Sequence, residues 1–184
     1  INIARGKGLV NESLPVCYLT AGLAVREGNP MKLSALSDLG ERSGLRSVIA
    51  NPEAASIGKF TKKILSRHSL WEAVSSKALA MKPTVNEVAN DVKLGAADVA
   101  VIWDAVANQY PEIQFINVPE FDVEAKQVAI GVLNSATDPS NALRFARYVT
   151  ARDEGLKTFS EMGYRVVEGD KWKRRPELVF FYGM

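Results

Sequence analysis

The side chains that usually carry proton-transfer or covalent chemistry are scarce in this sequence. His68 is the only histidine and follows Arg67 at the basic end of a predicted helix, where the helix dipole favours it as a solvated C-terminal residue. Cys17 is the only cysteine and lies in an apolar strand, so it reads as a buried inert thiol and no intrachain disulfide can form. One Cys and one His do not make a zinc site of the usual type. No paired carboxylates at a useful spacing, no Walker-type phosphate loop and no metal-ligand cluster stand out, so the sequence reads as a binding protein without a cofactor rather than an enzyme. What remains is backbone chemistry. Ser47 to Ala50 is a short buried strand, Asn51-Pro52 ends it, and Ala54, Ala55 and Ser56 lead into an amphipathic helix that opens at Ile57-Gly58. A helix start leaves N–H groups without intrahelical acceptors, and the dipole adds partial positive charge there, so an anion is favoured. Two readings stay open on this stretch alone: an anion seat at the Ser56 and Ile57 amides, or an ordinary strand-to-helix corner capped by Ser56.

The elements around that corner alternate. A strand is predicted over residues 16–26, ended by Gly28-Asn29-Pro30, and a short helix over 34–42, with Ser34 as its cap and Leu36 and Leu39 inward. Helices follow over 57–67 and 70–79, then a short strand at Ala80-Met81-Lys82. Thr84-Val85-Asn86-Glu87 is a capping-box start, with Thr84 on the Glu87 amide and Glu87 reaching back to the Thr84 amide. Val85, Val88, Ala89, Val92 and Leu94 give that helix an apolar face and Gly95 stops it. Val99 to Trp103 is a continuous apolar run between Asp98 and Asp104, the pattern of a buried parallel strand. Strands at 113–118 and 127–133 follow. Asp138-Pro139 then caps a helix that buries Leu143, Phe145, Ala146 and Val149, and a last helix covers 154–162. The fold class is α/β. Net charge is +2, too small to argue for nucleic acid, and the one dense basic cluster, Lys171 to Arg175, reads as a solvated segment.

In order and spacing these segments resemble the molybdate/tungstate-binding periplasmic receptors of ABC importers, which have the type II periplasmic-binding-protein fold. The matching words are Cys17-Tyr18 through Val25 to Pro30, Asn51-Pro52 to Phe60, Thr84 to Glu87, Leu94 to Ala105, and Phe145 to Val149 with Gly155-Leu156 and Gly163-Tyr164. The resemblance implies two α/β lobes joined by crossing strands, with a tetrahedral oxyanion held in the cleft. It implies contact residues Ser56, Ile57 and Val85 through backbone N–H, and a side-chain donor at the end of the following strand. The family often has Tyr at that last position. Here it is Trp103, whose indole N–H donates but cannot accept. Asp104 beside it would repel an anion unless it is protonated, turned away or a direct ligand to the metal centre of the oxyanion. Trp103 and the Val85 side chain have an equally plain reading as core.

The resemblance also implies an organisation. Residues 24–128 are expected as a complete second lobe, with 1–23 and 129–184 as crossing strands and part of the first. The family's opening strand and its anion loops do not precede Ile1, while the apolar 177–184 resembles such an opening: it reads either as the start of a further receptor copy, with the chain a fragment of a longer, tandem receptor, or as a strand that completes this copy's own first lobe. Half a site binds weakly or not at all, and the exposed apolar edge makes a homodimer or a swapped strand an expectation. The implied function is capture of molybdate or tungstate, with sulfate a further candidate, outside the cytoplasmic membrane and delivery to a membrane permease. The alternative is the ligand-sensing domain of a transcription regulator with the same fold; no helix-turn-helix pattern accompanies it.

Overall fold

The computed structural model describes residues 1–122 and 125–172. The apolar stretch 177–184 lies outside the described residues, as does the basic cluster from position 173 on. In chain order the elements are α1 (Asn2–Gly6), β1 (Val10–Leu19), β2 (Ala21–Arg26), α2 (Asp38–Glu41), β3 (Ser47–Ala50), α3 (Ser56–Arg67), α4 (Trp71–Lys77), β4 (Ala80–Lys82) and α5 (Val85–Lys93). Then come β5 (Val99–Trp103), α6 (Asp104–Ala107), β6 (Ile113–Ile116), α7 (Pro119–Asp122), β7 (Lys126–Leu133), α8 (Pro139–Val149), α9 (Gly155–Glu161) and β8 (Arg165–Val166).

Two compact units form. The larger is Tyr18–Gln127 with Met162–Arg165, and the smaller combines Ile1–Cys17, Val128–Glu161 and the described residues from Val166 on. The larger unit carries a five-stranded sheet in the order β4-β3-β5-β2-β6. β3 is parallel to β4, with Ala50 beside Lys82, and parallel to β5, with Ser47 beside Val99. β2 is antiparallel to β5, with Ala21 opposite Trp103, and antiparallel to β6. The chain leaves β3 for β4 on one side, then returns across β3 to reach β5 on the other. Right-handed crossovers put those two connections on opposite faces, giving three layers. The core follows from this: Leu23, Val25, Val99 and Ile102 of the sheet pack with Ile57, Ile64 and Leu65 of α3 and with Val88 and Val92 of α5. The smaller unit is built on a three-stranded sheet in the order β7-β1-β8. Ala146 of α8 and Leu156 of α9 are buried there, and Cys17 is fully buried.

Several local expectations need correction. The strand predicted over 16–26 is two strands: Thr20 interrupts it, and its carbonyl accepts the Asp104 N–H at 2.9 Å. The helix predicted from Ser34 starts only at Asp38, whose carboxylate accepts the N–H groups of Ser34 (2.7 Å) and Ala35 (3.0 Å) and holds that stretch as a turn. Leu36 and Leu39 are buried all the same. Leu94 is 79% exposed rather than part of the apolar face of α5. It is the C-cap residue, and Gly95 at φ 72° turns the chain away, so helical periodicity no longer sets its direction. Phe145 is also exposed, because α8 buries only Ala146.

One ion pair anchors the edge where the parallel strands begin. The Arg46 guanidinium, just before β3, meets the Asp98 carboxylate, just before β5, through Nη2–Oδ1 at 2.6 Å and Nε–Oδ2 at 3.1 Å. The Arg46 backbone N–H donates to Oδ2 as well, at 3.0 Å. The guanidinium hydrogen bond, with the backbone N–H and the charge, outweighs burial and holds the Asp98 carboxyl below its ordinary value. A carboxylate lowered on folding stabilises the fold above its unfolded pKa of about 3.9, and that contribution is lost as pH falls through the lowered value. Asp98→Asn is therefore expected to be less stable than the parent by a constant margin at neutral pH. In urea unfolding at stepped pH the margin should shrink below about pH 4; a margin that does not change with pH would refute this account.

Candidate functional site

The parallel strands β3, β4 and β5 all end at the same edge of the larger sheet, and each end leads into a helix. Ser56 and Ile57 open α3 after β3, Val85 opens α5 after β4, and Trp103 and Asp104 join β5 to α6. The order β4-β3-β5 reverses direction at β3, so the connections after β3 and β5 part to opposite faces and leave a crevice at their carboxyl ends. Adjacent strands lie about 4.8 Å apart, so the three ends fall within about 10 Å across the sheet. The five residues picked from sequence thus stand on one edge.

The corner after β3 is tight. The Asn51 N–H donates to the Lys82 carbonyl at 2.7 Å, which locks the ends of β3 and β4 together. The Asn51 carbonyl accepts from Ala54 and Ala55, and its side-chain Oδ1 accepts from Glu53 at 2.8 Å. The N-cap of α3 is Ala55, with no side-chain cap, so Ser56 is not the cap expected from sequence but the first helical residue. The first intrahelical bond runs from the Lys59 N–H to the Ala55 carbonyl. The N–H groups of Ser56, Ile57 and Gly58 have no acceptor among the described residues. The Ser56 side chain is exposed and the Ile57 side chain is core, so Ile57 can act on a ligand only through its backbone.

At α5 the capping box closes differently from the expectation. Thr84 Oγ1 accepts the Glu87 N–H at 3.3 Å, as predicted, but the Glu87 carboxylate accepts the Thr84 hydroxyl proton at 2.8 Å rather than the Thr84 amide. The Val85 and Asn86 N–H groups have no acceptor among the described residues. The Val85 side chain is half-buried against the core, so its core reading and an open backbone hold together.

Trp103 is buried, and its ring lies 5.5 Å from that of Phe60 in α3, in a tilted arrangement. Its indole N–H has no acceptor among the described residues. No fully buried polar side-chain atom is left without a partner, so that N–H reaches the surface. Asp104 is half-buried, and its Oδ1 accepts the Ala105 N–H at 2.8 Å, engaged by its own short helix. Sequence reasoning missed two contributors. Phe60 bridges Trp103 and Phe121, and Lys126 places its ammonium 5.3 Å from the centroid of the Phe60 ring. Neither pairing has a local signal, since Lys126 is far along the chain. The Cys17 thiol and His68, the C-cap of α3, stand apart from these elements in the sequence, and among the described residues no metal-ligating cluster occurs.

A Cβ at position 58 would overlap the Ala50 carbonyl oxygen and come within 2.6 Å of the Asn51 carbonyl oxygen. Gly58→Ala is therefore expected to destabilise the fold by about 1–3 kcal/mol. Ser56→Ala, which removes no cap, should change stability by less than about 0.5 kcal/mol. Denaturant midpoints of the two variants check this; equal midpoints would contradict the close packing at Gly58.

Comparison with known proteins agrees with this architecture. Residues 1–165 match the model of the family described as bacterial extracellular solute-binding protein. YvgL of Bacillus subtilis (strain 168), assigned as an ABC transporter substrate-binding lipoprotein, is 24% identical over 143 residues, 77% of this chain. The chain spans about half of that relative's length (54%). The substrate-binding domain of a protein assigned as a molybdenum ABC transporter from Clostridium difficile superposes with a TM-score of 0.70 at 18% identity, covering 91% of this chain and 72% of that one. A periplasmic thiamin-binding protein superposes with a TM-score of 0.73 at 12% identity, covering 93% and 64%. These similarities show the α/β fold of periplasmic binding proteins. With the family match running from Ile1 to Arg165, the chain belongs to the bacterial extracellular solute-binding protein family.

Proposed function

We propose that this chain is part of the solute-binding component of an ABC importer and that its solute is a tetrahedral oxyanion of the molybdate or tungstate class, with sulfate the nearest competitor. The observation that carries the reading is the sheet edge itself. Two helix starts present amides without acceptors among the described residues (Ser56, Ile57, Gly58; Val85, Asn86), and an indole N–H stands at the end of β5, the strand that follows the second helix. Backbone N–H groups and indole are donors only, and molybdate, tungstate and sulfate are acceptors only at neutral pH. In this reading the Ser56, Ile57 and Val85 amides and the Trp103 indole hold the anion, and Asp104 borders it with Oδ1 already engaged.

This chain supplies one wall of the seat. The opposite wall comes from the part of the relatives' length that this chain does not span. The domain division proposed is a second lobe over 24–128 with 1–23 and 129–184 in and around the first. A second copy of the chain is the other cover for the exposed apolar residues of the smaller unit, Ile3, Leu133 and Phe145. The protein works outside the cytoplasmic membrane and hands its solute to a membrane permease.

Isothermal titration of the full-length gene product with molybdate, tungstate, sulfate, phosphate and thiamin tests the assignment. Saturable binding of an oxyanion is expected, and binding of thiamin with no oxyanion bound would overturn it. Trp103→Phe keeps an aromatic ring against Phe60 and removes one donor. It should weaken oxyanion binding by about tenfold or more, the worth of a hydrogen bond to a charged group. Unchanged affinity in that variant would remove Trp103 from the seat.

A further inference from the structure

Burying a hydroxyl without a hydrogen bond weakens a fold, and a valine of nearly the same shape avoids the penalty. The larger unit nevertheless keeps a threonine at such a place. Thr20, the residue between β1 and β2, is only 6% exposed. Its hydroxyl has no hydrogen-bond partner among the described residues. No fully buried polar side-chain atom there lacks a partner, so this hydroxyl reaches the surface. β2 is buried from Ala21 to Val25, which puts the opening at its start, on the edge where β3, β4 and β5 end. The other buried polar residues among those described stand elsewhere: Ser47 starts β3 at the opposite edge, and Thr61 lies within α3. The ladder fixes where Thr20 is. Ala21 is opposite Trp103, and one step on the Thr20 carbonyl accepts the Asp104 N–H at 2.9 Å. Thr20 is thus across from Asp104, with the two Cα atoms about 5.5 Å apart, the spacing of a hydrogen-bonded antiparallel pair. Oγ is two bonds from Cα, so the hydroxyl opens beside the end of β5, where the Trp103 indole N–H also reaches the surface.

We infer that Thr20 is a solute-binding residue: its hydroxyl donates a hydrogen bond to the bound oxyanion at the end of β5, alongside the Trp103 indole. The inference rests on the anion seat proposed above and adds to it a side chain from the antiparallel crossing, outside the two helix starts and β5. A hydroxyl suits the role. It donates as the amides and the indole do, and its proton rotates to meet the acceptor. The side chain is short, nearly buried and carried by a backbone already bonded to Asp104, so binding orders no long side chain. The same arrangement has a consequence for stability. A hydroxyl kept for the solute contributes nothing to the fold without it, and its removal leaves that fold no weaker.

The test compares the full-length gene product with its Thr20→Val and Thr20→Ser variants, by isothermal titration with molybdate, tungstate and sulfate and by thermal melts without solute. Val keeps the shape and removes the hydroxyl; Ser keeps the hydroxyl and drops the methyl. Thr20→Val is expected to bind oxyanion about tenfold more weakly or worse, the worth of a hydrogen bond to a charged group. It should melt at or above the parent temperature, since a hydroxyl without an internal partner is replaced by a methyl. Thr20→Ser should bind with nearly the parent affinity. Equal affinities in parent and Thr20→Val would overturn the inference while leaving the seat of amides and indole intact. A Thr20→Val protein that melts well below the parent would also overturn it, by giving the hydroxyl a structural role. Equal losses of affinity in Thr20→Ser and Thr20→Val would trace the effect to packing of the methyl and count against the hydroxyl. No oxyanion binding by the parent would overturn the seat itself, and the inference with it.

Discussion

A side chain at position 58 would overlap the carbonyl oxygens of Ala50 and Asn51, so α3 can begin where it does only because that residue has no Cβ. The close approach has several consequences. It sets the first turn of the helix directly on the end of β3, with no room for a longer loop. It leaves Ala55, which has no capping side chain, at the N-cap, so the first amides find no acceptor among the described residues. It also brings Phe60 down onto Trp103, which joins the helix to the next strand but one in sequence. Glycine costs conformational entropy inside a helix, of the order of 1 kcal/mol relative to alanine. Here that penalty buys proximity that no other residue allows.

The two edges of the larger sheet divide the work. At the edge where the parallel strands start, Arg46 and Asp98 form a two-pronged ion pair supported by a backbone N–H, and the Asp98 N–H in turn donates to the Arg46 carbonyl at 2.7 Å. The charged groups of Arg46 and Asp98 there are partnered inside the chain. At the opposite edge the helix starts are left open. The parallel arrangement makes this division unavoidable, because each crossover from a parallel strand begins at the carboxyl edge and returns at the other. Helix N-termini gather on one side as a result of topology. The antiparallel β2 starts at that edge, and its preceding residue, Thr20, ties down the Asp104 amide without adding a helix there.

How much of this was legible in the sequence depends on how local each feature is. The strand Val99–Trp103, the corner at Asn51-Pro52, the Thr84 cap on Glu87 and the Gly95 stop are governed by neighbours within a few residues, and all were readable. The departures fall where something other than the apolar pattern decides. Thr20 breaks a strand where its carbonyl accepts from the distant Asp104. Asp38, only three and four residues on, takes the Ala35 and Ser34 amides on its carboxylate and holds that stretch as a turn. Leu94 and Phe145 keep an apolar spacing yet stand exposed. The type of each site residue was visible, but its working atom was not. Ile57 and Val85 offer backbone, which a side-chain alphabet does not encode, and Trp103 serves as core and presents its N–H at the surface at the same time. The antiparallel pairing of β2 with β5 was not visible either, since a fully apolar run reads alike whichever way its neighbours run.

An edge built from amides fixes shape before it fixes identity. Partial charges on N–H groups favour any acceptor of the right size, so the same fold can serve solutes that differ widely once the bordering side chains change. Two side chains at the end of β5, Trp103 and Asp104, differ in charge and in how each is held. Trp103 packs its ring on Phe60 while its indole N–H reaches the surface. One Asp104 oxygen accepts the backbone N–H of Ala105, so part of its acceptor capacity is already used within its own short helix. Which solute such an edge takes is therefore a matter of a few bordering side chains and not of the sheet that carries them.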